Sequence, residues 1–136
     1  MKLKKPADVK KPRILIAEDI KNNMIITTTM LTTLYPGAVL SEAYNGEEAV
    51  SLYKRMKPDL ILMDISMPKK TGIEAIEEIR EHESDFVKKT PILALTAETE
   101  IEGVMRYIEL GVNEIIAKPT TLETLKDKLS KFIPKI

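Results

Sequence analysis

The chain alternates short apolar runs with longer amphipathic segments, and this alternation constrains its fold more than any other feature. Residues 14–17, 60–63, 92–95 and 112–117 are runs of strand length, and their near-continuous apolarity is typical of strands covered on both faces. Residues 39–44 are more mixed, because they include Ser41 and Glu42. We therefore expect this strand, the second along the chain, at an edge of the sheet.

Each strand-like run is followed by apolar residues at helical spacing. Turn formers end three of these segments, with Pro36-Gly37 after the first, Lys57-Pro58 after the second and Gly111 after the fourth. Strict alternation of strands and helices predicts an α/β fold with a doubly wound, five-stranded parallel sheet flanked by five helices. The helical positions expected to face the core are Ile26, Met30, Leu31 and Leu34; Ala49, Leu52, Tyr53 and Met56; Ile73, Ile76 and Ile79; Ile101, Val104, Met105 and Ile108; and Leu122, Leu125, Leu129 and Phe132.

Length and composition narrow the functions that are open to the chain. Its 136 residues fit one domain, which we expect at residues 13–134 after a flexible arm or linker at residues 1–12. Twenty-one basic residues balance 21 acidic ones, so the basic excess of a nucleic-acid-binding protein is missing. The absence of cysteine excludes disulfides and thiolate metal sites. No apolar run approaches the ~20 residues of a membrane-spanning helix, and we expect a cytoplasmic protein with no membrane partner.

Polar residues stand where the apolar runs end. The first run stops at Glu18-Asp19, the third at Asp64, the fourth at Thr96 and the fifth at Lys118-Pro119. Any one of these residues alone is better explained as a helix cap or a solvated side chain. Ligands of open α/β sheets bind outside the carboxyl ends of the strands. The whole set therefore predicts three carboxylates, a hydroxyl and an ammonium at one edge of the sheet.

This combination of groups is suited to phosphoryl transfer. Three neighbouring carboxylates raise one another's pKa, and a hard divalent cation such as Mg²⁺ relieves that repulsion. The cation would also neutralise an incoming phosphoryl group, for which one carboxylate is a competent nucleophile. Phosphoryl transfer mostly needs positioning and charge neutralisation, and a lysine and a threonine add both.

The same residues resemble the signature of response-regulator receiver domains. The resemblance rests on Glu18-Asp19, Asp64, Thr96-Ala97 and Lys118-Pro119, taken in that order. It extends to the Met-Pro-x-x-x-Gly stretch at residues 67–72, the Asn-Gly-Glu-Glu-Ala stretch at residues 45–49 and Leu110-Gly111. It covers residues 13–132, nearly the whole chain, and implies the strand order 2-1-3-4-5.

The resemblance also implies a role for each site residue. Asp64 would accept a phosphoryl group from a phosphohistidine of a sensor histidine kinase or phosphotransfer protein. A change on the face formed by the fourth helix, fifth strand and fifth helix would then reach a downstream protein or another domain of the same polypeptide. Such a domain assists its own phosphorylation and dephosphorylation and is not a turnover enzyme. The implied Mg²⁺ ligands are Asp19, Asp64, Glu18 and the Ser66 backbone carbonyl; the phosphoryl-binding groups are Thr96, the Ala97 N–H and Lys118, followed by a cis peptide bond to Pro119.

Two departures from the family pattern affect the expected signalling. Ile115 stands where many members carry a Tyr or Phe that rotates on phosphorylation, so the resemblance does not imply transmission by an aromatic side chain here. Ile20 interrupts a Glu-Asp-Asn-x-x-Asn pattern of which Asn23 remains, and the sequence is most similar to receivers attached to hybrid sensor kinases. Arg106 and Tyr107 are expected on the exterior of the fourth helix.

Three other functions are conceivable for a chain with these residues. A phosphatase that forms an aspartyl phosphate needs an acid two residues after the nucleophile, where this chain has Ser66. A nucleotide-binding protein needs a glycine-rich phosphate loop, and neither common form of that loop occurs. A phosphorylation-independent interaction module on the same fold stays open, because a fold does not determine a function.

Overall fold

The computed structural model describes residues 11–67, 69–97 and 100–134, so most of the expected arm at residues 1–12 lies outside the described residues. Within them, strands and helices alternate along the chain as the sequence predicts. The elements are β1 (Arg13–Ala17), α1 (Lys21–Leu34), β2 (Val39–Ala43), α2 (Gly46–Met56), β3 (Leu60–Asp64), α3 (Gly72–His82), β4 (Ile92–Thr96), α4 (Ile101–Glu109), β5 (Glu114–Ala117) and α5 (Leu122–Leu129).

The five strands form one parallel sheet in the order β2-β1-β3-β4-β5, which confirms the predicted fold class. Every residue of β3 and β4 is buried, as the continuous apolar runs predict for strands covered on both faces. The mixed strand β2 is at an edge, also as expected, and its Val39 is 46% exposed. The order places the carboxyl ends of β1, β3 and β4 side by side.

Alternate residues of each central strand enter two different hydrophobic layers, because successive side chains of a strand point to opposite faces. One layer packs α2, α3 and α4 against the sheet, and the other packs α1 and α5 against its opposite face. No helix among the described residues is long and apolar enough to cross a membrane. The strand residues are Leu15, Ala17, Ile61, Met63, Ile92 and Ala94 in the first layer and Ile14, Ile16, Leu60, Leu62, Leu93 and Leu95 in the second.

The expected core faces of α1 and α4 are partly wrong. Ile26 is 54% exposed, and α1 buries the expected Leu31 together with Met24, which was not predicted. In α4, Ile101, Met105 and Ile108 are exposed, whereas Tyr107 is only 6% exposed and belongs to the core. Both helices carry apolar residues on more than one face, so spacing alone does not determine which face packs against the sheet.

A buried ionic network joins α2 and α3 to the segments before β4 and β5. The Glu83 side chain, 1% exposed, accepts hydrogen bonds from the Tyr53 hydroxyl at 2.8 Å, Arg80 Nη1 at 2.6 Å and the Thr90 N–H at 3.0 Å. Arg80 also donates to the Gly111 carbonyl. Burial pushes the pKa of Glu83 upward, but these hydrogen bonds outweigh it and hold the pKa below its usual range.

We expect Glu83→Gln to lower the free energy of unfolding by about 2 kcal/mol at pH 7, because the amide leaves buried donors unsatisfied. A depressed carboxyl pKa stabilises the fold above the unfolded-state pKa, and this contribution is lost as pH falls through the folded-state value. The deficit of the variant should therefore shrink when urea unfolding is repeated at pH 3. Glu81→Gln, at an exposed position in the last turn of α3, two residues before Glu83, is the matched control. Equal stabilities of the two variants at pH 7 would contradict the assignment.

Candidate functional site

Three carboxylates meet at the carboxyl edge of the sheet. Glu18 and Asp19 follow β1, and Asp64 is the last residue of the neighbouring strand β3. One oxygen of each lies within 4.8 Å of the others. Glu18 and Asp64 are each 3% exposed, whereas Asp19 is half-buried. Parallel pairing of Ala17 with Met63 places both strand ends at the same edge, which brings together carboxylates that are far apart in sequence.

One ammonium group faces this cluster. Lys118, directly after β5, has its Nζ 3.1 Å from Asp64 Oδ2 and 3.6 Å from Glu18 Oε1. Its backbone N–H donates to the Thr96 carbonyl at 3.0 Å, and its peptide bond to Pro119 is cis, the geometry that the resemblance implies. A single cation therefore compensates part of the charge of three carboxylates.

The surroundings of Glu18 shift its pKa. Burial first, and then its hydrogen bond with Asp64 and the charge of Asp64, raise the pKa of Glu18 to about 7 against the opposing effect of Lys118. Glu18 Oε2 is fully buried and has no hydrogen-bond partner among the described residues. Asp64 Oδ1 accepts a hydrogen bond from the Ser66 N–H at 3.1 Å. An unpartnered buried oxygen and a closely packed set of hard ligands fit a divalent cation.

The other predicted site residues lie at or near the same edge. Thr96 ends β4 and is buried, one register position beyond Leu95, which pairs with Asp64. Ala97 and Ser66, just beyond the ends of β4 and β3, are exposed. Ile115 is in β5, where it is half-buried and packs against the core. Asp64 and Thr96 are the last residues of their strands, not the first residues after them.

Two cavities open at the cluster, on opposite faces of the sheet. The first, about 260 Å³, lies beside α1 and is lined by Glu18, Lys118 and the apolar side chains of Ile26, Met30 and Pro119, among others. The second, about 630 Å³, lies beside α4 and reaches Asp19 and Ser66.

Two residues of α4 lie at this site without having been predicted there; Arg106 is exposed as expected, whereas Tyr107 is buried. Arg106 and Tyr107 of α4 both line the second cavity, together with Asp19. The sequence contains little signal for this, because the spacing of Ile101, Met105 and Ile108 predicts the opposite face of α4 as buried. The placement follows from the packing of Tyr107 in the core.

Comparison with known proteins identifies the family. Residues 14–130 match the response regulator receiver domain, and the chain belongs to that family. The carboxylate cluster is consistent with the phosphoacceptor site of such a domain. A probable C4-dicarboxylate response regulator of Bacillus subtilis, DctR, is 30% identical over 88% of this chain and 51% of its own length. The chain thus spans about half, or less, of the first curated relatives it matches.

Two solved structures are similar throughout. The receiver domain of the sensor histidine kinase PA1611 of Pseudomonas aeruginosa, which has a magnesium ion in its active-site cleft, is 31% identical over 90% of this chain and 98% of its own, with a TM-score of 0.79. The receiver domain of the Saccharomyces cerevisiae response regulator Ssk1 was solved in complex with the phosphotransfer protein Ypd1. It is 31% identical over 90% of this chain and 88% of its own, with a TM-score of 0.82. Similar chains thus include both a sensor-kinase receiver and a response regulator.

Proposed function

We propose that this chain is a magnesium-dependent phosphoacceptor that receives a phosphoryl group on Asp64 from a phosphohistidine of a sensor kinase or phosphotransfer protein. One observation carries the proposal: three carboxylate oxygens lie within 4.8 Å of one another, with the Lys118 ammonium 3.1 Å from Asp64. A structural ion pair needs only one of those carboxylates. Three around a single ammonium leave negative charge that a metal ion and a phosphoryl group would use.

Asp64 is positioned to act as the nucleophile. The Ser66 N–H holds Oδ1, and Lys118 faces Oδ2. In the proposed transfer, an Asp64 oxygen forms a bond to phosphorus while the bond from phosphorus to the donor imidazole nitrogen breaks. That nitrogen retains the electron pair; with a proton already on the other ring nitrogen of the donor, the products are an aspartyl phosphate and a neutral histidine.

The same residues would hold the metal ion and the phosphoryl oxygens. Asp19, Asp64 and Glu18 would bind Mg²⁺ with the Ser66 backbone carbonyl, and the unpartnered Oε2 of Glu18 supports this ligand set. When bound, the ion would neutralise charge on the transferring group. The phosphoryl oxygens would be bound by the Thr96 hydroxyl, the Ala97 N–H and Lys118 ahead of Pro119.

We further propose that the α4–β5–α5 face carries the output. It exposes Ile101, Met105 and Ile108, whose exposed fractions are 76%, 56% and 56%. Because Ile115 lacks an aromatic ring, a movement of Thr96 that displaces α4 is the proposed route of transmission. The output would be received by a downstream protein or another domain of the same polypeptide.

The proposal extends to the organisation and setting of the chain. Residues 13–134 would be the receiver unit, after an arm or linker at residues 1–12. The chain would assist its own phosphorylation and dephosphorylation without being a turnover enzyme. Phosphoryl transfer from a sensor histidine kinase or phosphotransfer protein would take place in the cytoplasm, with no nucleic-acid or membrane partner.

Intact-mass spectrometry after incubation with acetyl phosphate, with and without Mg²⁺, tests the proposal. We expect one phosphoryl adduct in the presence of Mg²⁺ and almost none after chelation, because the uncompensated carboxylates repel the anionic donor. Failure to form an adduct where a known receiver is modified, repeated with a phosphohistidine donor, would favour a phosphorylation-independent module.

The donor protein is proposed to dock on the α1 side, because the apolar cavity there also reaches Glu18 and Lys118. Ile26 is 54% exposed at this cavity. We expect Ile26→Glu to slow transfer from a phosphorylated histidine phosphotransfer protein about tenfold, since a charge replaces a central apolar contact. Labelling by acetyl phosphate should change much less.

Ile108→Glu is the matched control for this prediction, because Ile108 is 56% exposed on α4. Rapid-quench transfer assays on both variants separate the two faces. Slower transfer to Ile108→Glu than to Ile26→Glu would place the donor on the other side of the domain.

A further inference from the structure

The cavity beside α4 contains a positive charge that the proposed function does not use. Its volume is about 630 Å³, and its lining joins Asp19 and Ser66 to Thr71 of the β3–α3 connection and Arg106 of α4. Arg106 is the one basic residue among the described residues that line it. On the other face of the sheet, Lys118 lines the smaller cavity. Each of the two cavities that reach the carboxylate cluster thus contains a cationic side chain.

The Arg106 side chain has no hydrogen bond or ion pair among the described residues, although its backbone carbonyl accepts from the Leu110 N–H. This differs from Arg80, whose guanidinium donates to the Gly111 and Thr90 carbonyls and to Glu83 and Asn113. An arginine with a structural role usually resembles Arg80, because its planar fork has five donors to satisfy. The donors of Arg106 remain available to a ligand in the cavity.

The position of Arg106 on the backbone is fixed by the next residue. Tyr107 is 6% exposed and packs in the same core layer as Met63 and Ile65, on either side of Asp64. Burial of Tyr107 therefore fixes how α4 is rotated against this core layer, while the exposed Arg106 side chain can adjust its reach.

A count of charges indicates which ligand would need this arginine. With Glu18, Asp19 and Asp64 ionised, Lys118 and a divalent cation balance the site. Phosphorylation replaces the single negative charge of Asp64 with the two charges of an acyl phosphate dianion. One negative charge is then left over, and guanidinium pairs with phosphoryl oxygens through two parallel hydrogen bonds.

We infer that Arg106 binds the phosphoryl group on Asp64 across this cavity and prolongs the phosphorylated state; the inference rests on the proposed function. Hydrolysis forms a bond from a water oxygen to phosphorus and breaks the bond from phosphorus to the Asp64 oxygen, and the carboxylate keeps the electron pair. One water proton stays on the phosphate and the other goes to solvent.

The direction of the effect follows from where charge moves in this step. In a loose transition state, negative charge moves from the phosphoryl oxygens toward the leaving carboxylate. A cation paired with the outer phosphoryl oxygens therefore stabilises the acyl phosphate more than the transition state. It also occupies the α4 side, from which water can approach.

The test measures how fast the adduct disappears. Wild type, Arg106→Gln, Arg106→Lys and Arg55→Gln are labelled with acetyl phosphate and Mg²⁺, freed of donor by desalting, and followed by intact-mass spectrometry. We expect Arg106→Gln to shorten the half-life about fivefold, a value reduced for solvent exposure. Arg106→Lys should retain part of the effect, because it keeps the charge without the fork. Added salt should narrow the difference between wild type and Arg106→Gln.

Arg55→Gln is the matched control, since Arg55 is an exposed arginine on α2, away from the cavity. All variants should have the same thermal midpoint, because glutamine and lysine are good helix formers. An unchanged or longer half-life in Arg106→Gln, or the same loss in Arg55→Gln, overturns this inference alone. A wild type that takes no adduct removes the proposed function, and this inference with it.

Discussion

Asp64→Asn is expected to abolish the phosphoryl adduct while the domain stays folded. The amide is a poor nucleophile and cannot form the acyl phosphate, whereas the shape of the side chain is retained. The hydrogen bond from the Ser66 N–H to Oδ1 can persist, so the β3–α3 connection keeps its geometry. Removal of one of three carboxylates within 4.8 Å of one another also relieves repulsion. Mass spectrometry and thermal unfolding measure the two effects on one sample.

The control for this variant is Asp127→Asn, the same isosteric change at an exposed position of α5. It should acquire the adduct like wild type, with the same requirement for Mg²⁺. A full adduct on Asp64→Asn would show that another residue accepts the phosphoryl group. Loss of the adduct together with loss of folding would mean that the Asp64–Lys118 ion pair, at 3.1 Å, is essential to the fold, contrary to our expectation.

Gly72→Ala is expected to have the second large effect, on stability and on chemistry together. A Cβ at residue 72 would lie 2.2 Å from the Asp64 carbonyl oxygen and 2.7 Å from Ile65 Cα, and both are backbone atoms. The Gly72 N–H also donates to the Ile65 carbonyl at 3.0 Å, so the two segments cannot separate without loss of that bond. The backbone that carries Asp64 must therefore move.

The size of the clash determines the sign of the effect. Alanine in place of glycine favours a helix by at most about 1 kcal/mol, and Gly72 is the first residue of α3. Overpacking against backbone costs about 3 kcal/mol, so we expect net destabilisation of roughly 2 kcal/mol or more in urea unfolding. Misplacement of Asp64 should also slow labelling by acetyl phosphate about tenfold or more.

Gly37→Ala separates this clash from the general effect of adding a methyl group. Among the described residues, the atoms nearest to a Cβ at Gly37 would be side-chain atoms of Lys11, at 3.7 Å and beyond. We expect its unfolding free energy to stay within about 1 kcal/mol of wild type and its labelling rate to be unchanged. Equal behaviour of the two variants would mean that the β3–α3 connection adapts to a side chain at position 72.

The sequence alone was sufficient to predict the sheet and the composition of the site. Continuous apolar runs predict strands covered on both faces, and β1, β3 and β4 are central and buried. Because strands of a parallel sheet end at one edge, the residues at those ends predict the site: Asp19, Asp64 and Lys118 do converge there. Strand burial and strand direction do not depend on the details of side-chain packing, so a one-dimensional pattern reveals them.

Only the tertiary structure decided which helix faces are buried and what surrounds the carboxylates. The apolar spacing of α4 suggested Ile101, Met105 and Ile108 as core positions, yet the helix packs through Tyr107 and brings Arg106 to the cavity beside Asp19. When a helix has apolar residues on two faces, the face that becomes buried is the one that fits the space left by the neighbouring elements. That space is a property of the assembled core and does not follow from the local order of residues.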